Sequence, residues 1–320
     1  MRTLGALMLL VALGLPAAPA AGQPAVQEFS VPTGSHPHDV APAVDGGVWF
    51  TAQSAGYLGW LDPGTGEIRQ IALGPRSAPH GVIVGPDGAP WVTDGGQNAI
   101  VRVDPQTSEV RLFPLPGPGR NASLNTATFD RYGNLWFTGQ SGVYGRIYPG
   151  TGEVTQFDAP RGPGPYGITA TPDGSRVFYA SLAGSHIAEI NLETGQATPI
   201  DSPTPKQGAR RVWTDSHGLI WVSEWNVGQL GRYDPQTGQW QEWKLPGSRP
   251  MAYAVYVDEQ DIVWLSDWGS NAIVRFDPTT ETFQQFVMPL SGADIRQLNG
   301  RPGEVWAAES GQDRLVVIRH

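Results

Sequence analysis

The chain has 320 residues, 41 of them glycine and 29 proline, with no cysteine and a formal net charge of −9. That acidic balance leaves no basic footprint for nucleic acid or an anionic membrane surface, and the lack of cysteine excludes a disulfide framework, a thiol nucleophile and lipid attachment through cysteine. A hydrophobic content of 40 % among so many turn formers fits an all-β protein, and no long apolar pattern follows the helical period, so helix is expected to be nearly absent.

Met1-Arg2-Thr3 gives a short basic start, Leu4 to Leu15 an apolar core and Ala18-Pro19-Ala20 a small-residue site. Together they read as a cleaved secretory signal over residues 1–21, too short in its apolar part to span a bilayer. The mature protein is therefore expected to be exported, periplasmic or extracellular, with no membrane insertion. Residues 22–320 are expected to form a single domain, because one repeat runs through them without a break.

Val26 to Pro32 reads as a strand with no hairpin partner beside it. A four-strand unit follows and recurs, clearest from His80 to Pro116: an apolar first strand, a Gly85-Pro86-Asp87-Gly88 turn, a second strand through Trp91, a third from Ile100 to Val103, an Asp104-Pro105 turn and a fourth strand ending at Pro114. The second-strand aromatic returns at Trp49, Trp91, Trp136, Phe178, Trp221, Trp264 and Trp306, in steps of 42 to 45 residues. A four-strand repeat of that length is the signature of a propeller blade, and seven anchors make a seven-bladed β-propeller of four-stranded antiparallel blades. The last repeat, starting near Asp294, has only three strands. Closing the ring removes two open edges, so the N-terminal strand is expected to complete the last blade.

In each meander the opening of the first strand and the end of the second are expected to share one face. The first position holds His38, His80, Asn125, Tyr166, Arg210, Tyr253 and Ile295; the second holds Ala52, Asp94, Gly139, Ser181, Glu224, Asp267 and Glu309. Imidazoles beside carboxylates supply a base tunable near neutral pH, and carboxylate oxygens are the ligands Mg²⁺ takes. His80 and His38 are therefore the candidate catalytic pair, and Asp94 and Glu309 the candidate metal ligands. Tyr166, Arg210, Glu224, Tyr253 and Asp267, with Trp225 and Trp268 just past two of the carboxylates, are the candidate ligand-binding residues. Strand-end carboxylates also commonly cap turns, and the recurrent aromatic anchors are read as core rather than as a sugar platform.

The phrases Pro79-His80-Gly81-Val82, Trp136-Phe137-Thr138, Trp221-Val222-Ser223-Glu224-Trp225, Asn271-Ala272-Ile273-Val274-Arg275 and Phe113-Pro114-Leu115-Pro116 resemble the virginiamycin B (streptogramin B) lyase family over nearly the whole mature chain. The resemblance implies a seven-bladed propeller that opens a cyclic depsipeptide by elimination across its ester. It also implies a histidine base, a second histidine in the preceding blade, and acids two residues before and fourteen after the base that help hold Mg²⁺. His38 and His80 lie 42 residues apart and Asp94 fourteen beyond His80, but Ala78 stands where the first acid belongs. The family places its site in the last two blades, where this chain has Tyr253, the stretch Asp294-Ile295-Arg296 and Glu309. The implied function is a monomeric, exported lyase acting on a cyclic ester, lactone or depsipeptide with Mg²⁺. The alternatives are a non-catalytic propeller that grips a small molecule or peptide on its channel face, or a lactonase-type hydrolase.

Overall fold

Short β-branched and aromatic runs punctuated by Gly, Pro and Asp fold back on themselves, and the computed structural model, which describes residues 25–117 and 121–320, shows how far this goes. Blade 2 is representative, with strands Pro79–Val84, Pro90–Asp94, Ala99–Val103 and Val110–Pro114 paired antiparallel in sequence order. Gly88 takes a left-handed φ of 75° at the first turn, and Asp104 Oδ1 accepts the amides of Gln106 and Thr107 at the last. Seven such four-stranded sheets form the ring, and no helix occurs among the described residues.

The expected closure is present. Ala25–Ser30 pairs antiparallel with Arg314–Arg319, from Ala25 opposite Arg319 to Ser30 opposite Arg314, and supplies the outer strand of the last blade. The leader assigned to residues 1–21 lies outside the described residues.

The seams between sheets are filled by the anchors. Trp306 packs with Phe29, Val40 and Phe50 where blade 7 meets blade 1, and Trp221 with Val255 and Leu265 where blade 5 meets blade 6. Three of the indole N–H groups are satisfied alike inside the blade: Trp136, Trp221 and Trp264 donate to Asp130, Asp215 and Asp258, each six residues upstream. Full burial of a large aromatic contributes several kcal/mol at roughly 25 cal/mol per Å², so these anchors hold the ring together.

Every first strand carries a β-bulge near its start, with one extra residue between pairs such as Pro37 opposite Ala52 and Val40 opposite Phe50. A second-strand hydroxyl takes the freed bulge amide. Asp39, Gly81, Thr126, Arg211 and Ala254 donate their N–H to Thr51, Thr93, Thr138, Ser223 and Ser266. The same hydroxyl then donates across the seam in four blades: Thr51 to the His80 carbonyl, Thr93 to Asn125, Thr138 to Tyr166 and Ser223 to Tyr253. Thr51→Val keeps the shape but strands a buried N–H and a buried C=O, and a loss of about 1–3 kcal/mol is expected in denaturant unfolding. An unchanged midpoint would mean that the seam does not depend on this hydroxyl.

Candidate active site

Because a bulge breaks the two-residue alternation of a strand, it turns consecutive side chains toward the ring's centre. The inner tier, one residue past the paired start of each first strand, holds His38, His80, Asn125, Tyr166, Arg210, Tyr253 and Arg296. The spacing expected for blade 7 is off by one. Ile295 pairs with Glu309, so Arg296 rather than Ile295 takes the ring position.

His38 and His80 meet with ring centroids 3.7 Å apart, and both are buried, at 1 % and 7 % exposure. His38 Nδ1–H donates to Asp39 Oδ1 at 2.7 Å, which leaves Nε2 as the side with the lone pair. Arg211 reaches across the channel and donates to Asp39 Oδ1 at 2.9 Å, and its other terminal nitrogen donates to Thr126 Oγ1 at 2.7 Å. Thr126 then donates to Asn125 Oδ1, so the Asn125 amide faces His80 and donates to its Nε2 at 3.3 Å. That relay leaves the His80 proton on Nδ1, which is buried and has no hydrogen-bond partner. Burial, reinforced by Arg211, Arg296 and Arg210, holds His38 well below the usual histidine range. Burial, with His38 adding to it, does the same to His80. Both are neutral imidazoles at pH 7. Burial pushes the Asp39 carboxyl up, against the pull of Arg211.

The other half of the tier is aromatic and cationic. Tyr166 and Tyr253 share a hydroxyl–hydroxyl bond of 2.6 Å, and Arg210 donates to the Tyr166 hydroxyl at 3.0 Å. The Arg210 guanidinium lies 3.6 Å from the Tyr253 ring centroid and 4.7 Å from that of Trp225. Tyr253 stacks on Trp268 at 4.9 Å, and Arg296 covers Trp268 at 5.3 Å. Burial opposes ionisation of Tyr253, but Arg210, Arg211 and Arg296 together hold its phenol below the usual tyrosine range. His80 also lines a cleft of about 340 Å³ that opens between Gln53, Ala78, Asn121, Ser123 and Gln140.

The four carboxylates expected on this face sit elsewhere, and register explains it. Asp94 pairs with Pro79, Glu224 with Ala209 and Asp267 with Ala252, in each case the residue before the ring position, so their side chains leave the channel. Asp94 accepts from Ser77 Oγ, the amides of Ala78, Gly96 and Gln97, and Gln97 Nε2. Asp267 accepts from the amides of Met251 and Gly269 and from Ser270 Oγ. Glu309 and Glu224 are buried with carboxylate oxygens that lack a partner. Burial, with Glu28 nearby, pushes Glu309 up to about 7. Burial, with Glu242 nearby, pushes Glu224 up to about 8.

Glu224 makes a testable stability group. Its pKa is raised on folding from 4.5 to about 8, so its contribution is complete below about pH 4.5 and is lost as pH rises through about 8. Over that window it adds a fall of at most about 1.4 kcal/mol per pH unit. Glu224→Gln cannot ionise, so its stability relative to the parent is expected to improve steadily as pH rises through that range. A parent–variant difference that stays constant with pH in denaturant melts would show that Glu224 ionises normally.

Residues 24–317 match the profile of the Virginiamycin B lyase family. The chain belongs to this family. Among solved structures it is similar to a streptogramin B lyase, at 24 % identity and a TM-score of 0.84, over 92 % of this chain and 97 % of that one. It is also similar to a catalytically inactive virginiamycin B lyase from Staphylococcus aureus with quinupristin, at 21 % and 0.85, over 93 % and 100 %. A hydrazine synthase from Kuenenia stuttgartiensis matches at 14 % and 0.73, over 90 % and 97 %. At these identities the likeness is one of fold. No curated protein matches the chain.

In this virginiamycin B lyase family member, the last-two-blade positions implied by the resemblance hold Tyr253 and Arg296, neither of them an imidazole. The residues do not fit Mg²⁺ either. Asp94 is saturated by its own turn, and Glu309 carries a raised carboxyl beside Glu28, apart from the histidines. Among the described residues the one close trio of ligand types is His38, Asp39 and His80, where the Arg211 guanidinium already occupies Asp39. The sequence places Asn125 in the ring but gives no role to it or to Asp39, Thr126 and Arg211, which the structure brings into the site. The available signal was a charged residue directly after a ring position together with a Thr or Ser two past the anchor.

Proposed function

We propose that the chain is an acid–base enzyme of the lyase type, whose site lies in blades 1 and 2 and acts on an ester or lactone entering by the cleft before His80. The observation that carries it is the complementary pair of neutral imidazoles: Asp39 leaves His38 with a free lone pair on Nε2, and Asn125 leaves His80 with a free N–H at Nδ1. An elimination needs both. His38 takes the proton from the alcohol-side carbon that is β to the ester oxygen and is acidified by its own neighbouring carbonyl. The electron pair forms a C=C bond to the carbon bearing that oxygen, that carbon's bond to the ester oxygen breaks, and His80 donates a hydrogen bond to the departing carboxylate. Relative to the expectation from family spacing, the two histidines exchange roles. Export to the periplasm or exterior is part of the proposal and rests on residues 1–21.

The test is to assay the full-length and leader-free protein on quinupristin and on simple lactones, with and without EDTA, following loss of the ester and appearance of the unsaturated product. Turnover that survives EDTA and disappears in both His38→Ala and His80→Ala supports the reading; no turnover on any ester ends it. A non-catalytic binding propeller is the second reading, favoured by Tyr253 and Arg296 at the two positions where the family keeps its histidines.

A further inference from the structure

Charge in the central channel does not balance. Arg211 is buried, Arg210 and Arg296 are half-covered, and all three press on the same groups, His38 and Tyr253. Among the described residues the carboxylate bonded to any of them is Asp39, which serves Arg211 alone. Arg210 donates to a neutral phenol, and Arg296 lies against the Trp268 ring. In each of the three the Nε atom is buried and has no hydrogen-bond partner. Cation–π contacts offset part of the cost of covering these cations, about 2 kcal/mol or more where the ring is desolvated, but they leave Arg210 and Arg296 without a carboxylate partner. Arg210 and Arg296 flank the stacked Tyr253–Trp268 pair and, unlike Arg211, are partly exposed, so of the three they are the ones open to a ligand.

We propose that the mouth of the central channel is an oxyanion-binding site, in which Arg210 and Arg296 receive the carboxylate or phosphate oxygens of a small molecule. The planar guanidinium fork matches both groups, which share this chemistry. The inference involves no step of the elimination: failure to bind anions leaves the histidine pair untouched, and failure of turnover leaves the anion site untouched.

The experiment is titration calorimetry on the full chain at low ionic strength, with succinate, inorganic phosphate and the neutral diamide of succinate as probes. Saturable binding of succinate or phosphate, with none of the diamide, is expected. Succinate alone assigns carboxylates, and phosphate alone assigns phosphoryl groups. Arg210→Gln and Arg296→Gln are each expected to weaken binding about tenfold or more. Arg161→Gln, which changes an exposed guanidinium paired with Asp201, should bind like the parent. Without ligand, Arg296→Gln should melt no lower than the parent, because it removes a cation with no acidic partner, and ligand should no longer raise its melting temperature. The proposal is overturned if neither anion binds the parent, if both channel variants bind as the parent does, or if unliganded Arg296→Gln melts lower.

Discussion

A chain lacking residues 25–32 is expected to lose its monomeric folded state. The deleted strand carries Phe29, stacked on Trp306 at 5.5 Å, and is followed by buried Val31 in the same core. It also carries the Glu28–Arg314 ion pair and the hydrogen bond from Arg319 to Gln27. Burial of the two apolar side chains contributes about 1.5–3 kcal/mol each, before the ladder bonds to Arg314–Arg319 are counted. Against a net stability of about 5–15 kcal/mol for a typical domain, that loss is decisive. It also bares the Arg314–Arg319 edge, which invites pairing with another chain. Unfolded or oligomeric material should appear in light scattering and thermal melts. A monomer with the parent's melting curve would refute the closure.

The second large effect is on turnover. If the imidazole pair is the catalytic centre, His80→Ala and His38→Ala should each lower turnover of a susceptible ester by about 10²- to 10⁴-fold, the usual contribution of a positioned acid or base. Asn125→Leu separates the roles. It removes the donor that keeps the His80 proton on Nδ1, so turnover should fall by about an order of magnitude or more while the fold persists. Tyr253→Phe removes only the hydroxyl bonded to Tyr166 and should leave turnover close to the parent's. Parent-like activity of His80→Ala would move any chemistry out of this sector.

What the sequence made legible was whatever obeys a period. The anchors and turns repeat at a fixed spacing, and a last repeat of three strands calls for closure, so blade number, strand count and the meeting of His38 with His80 follow from the sequence alone. What escaped was the consequence of the bulge. Simple alternation sends Asp39 and Arg211 to the opposite face from their neighbours and brings Asp94 beside His80. One extra residue per first strand reverses both results, and in blade 7 a hairpin one residue shorter, with Asn299 opposite Trp306 where blade 1 sets Ala41 opposite Trp49, moves the ring position from Ile295 to Arg296. A local pattern marks Asp39 and Arg211 as channel residues, but which residues pair across the channel, as these two do, joins positions far apart in the chain and is not written in that pattern.

The bulges also bear on how such a ring can change. Each blade presents two adjacent seats to the channel, held by a backbone kink whose spare amide is tied off by the blade's own hydroxyl in five of the blades. Apart from Tyr166, Tyr253 and Ala254, which join the core, the occupants of those seats are polar residues or glycine, and the ring's rigidity comes mainly from the seams behind them. A constellation is thus closer to a removable insert than to a fixture, and it can be transplanted around the wheel by exchanging pairs of side chains. Placing His-Asp at Tyr166-Gly167 and His at Arg210 would rebuild the imidazole pair and its carboxylate three blades away, with Asn at Tyr253 needed to orient the second ring, and at the cost of fitting a new side chain against the Arg211 backbone, which crowds Gly167.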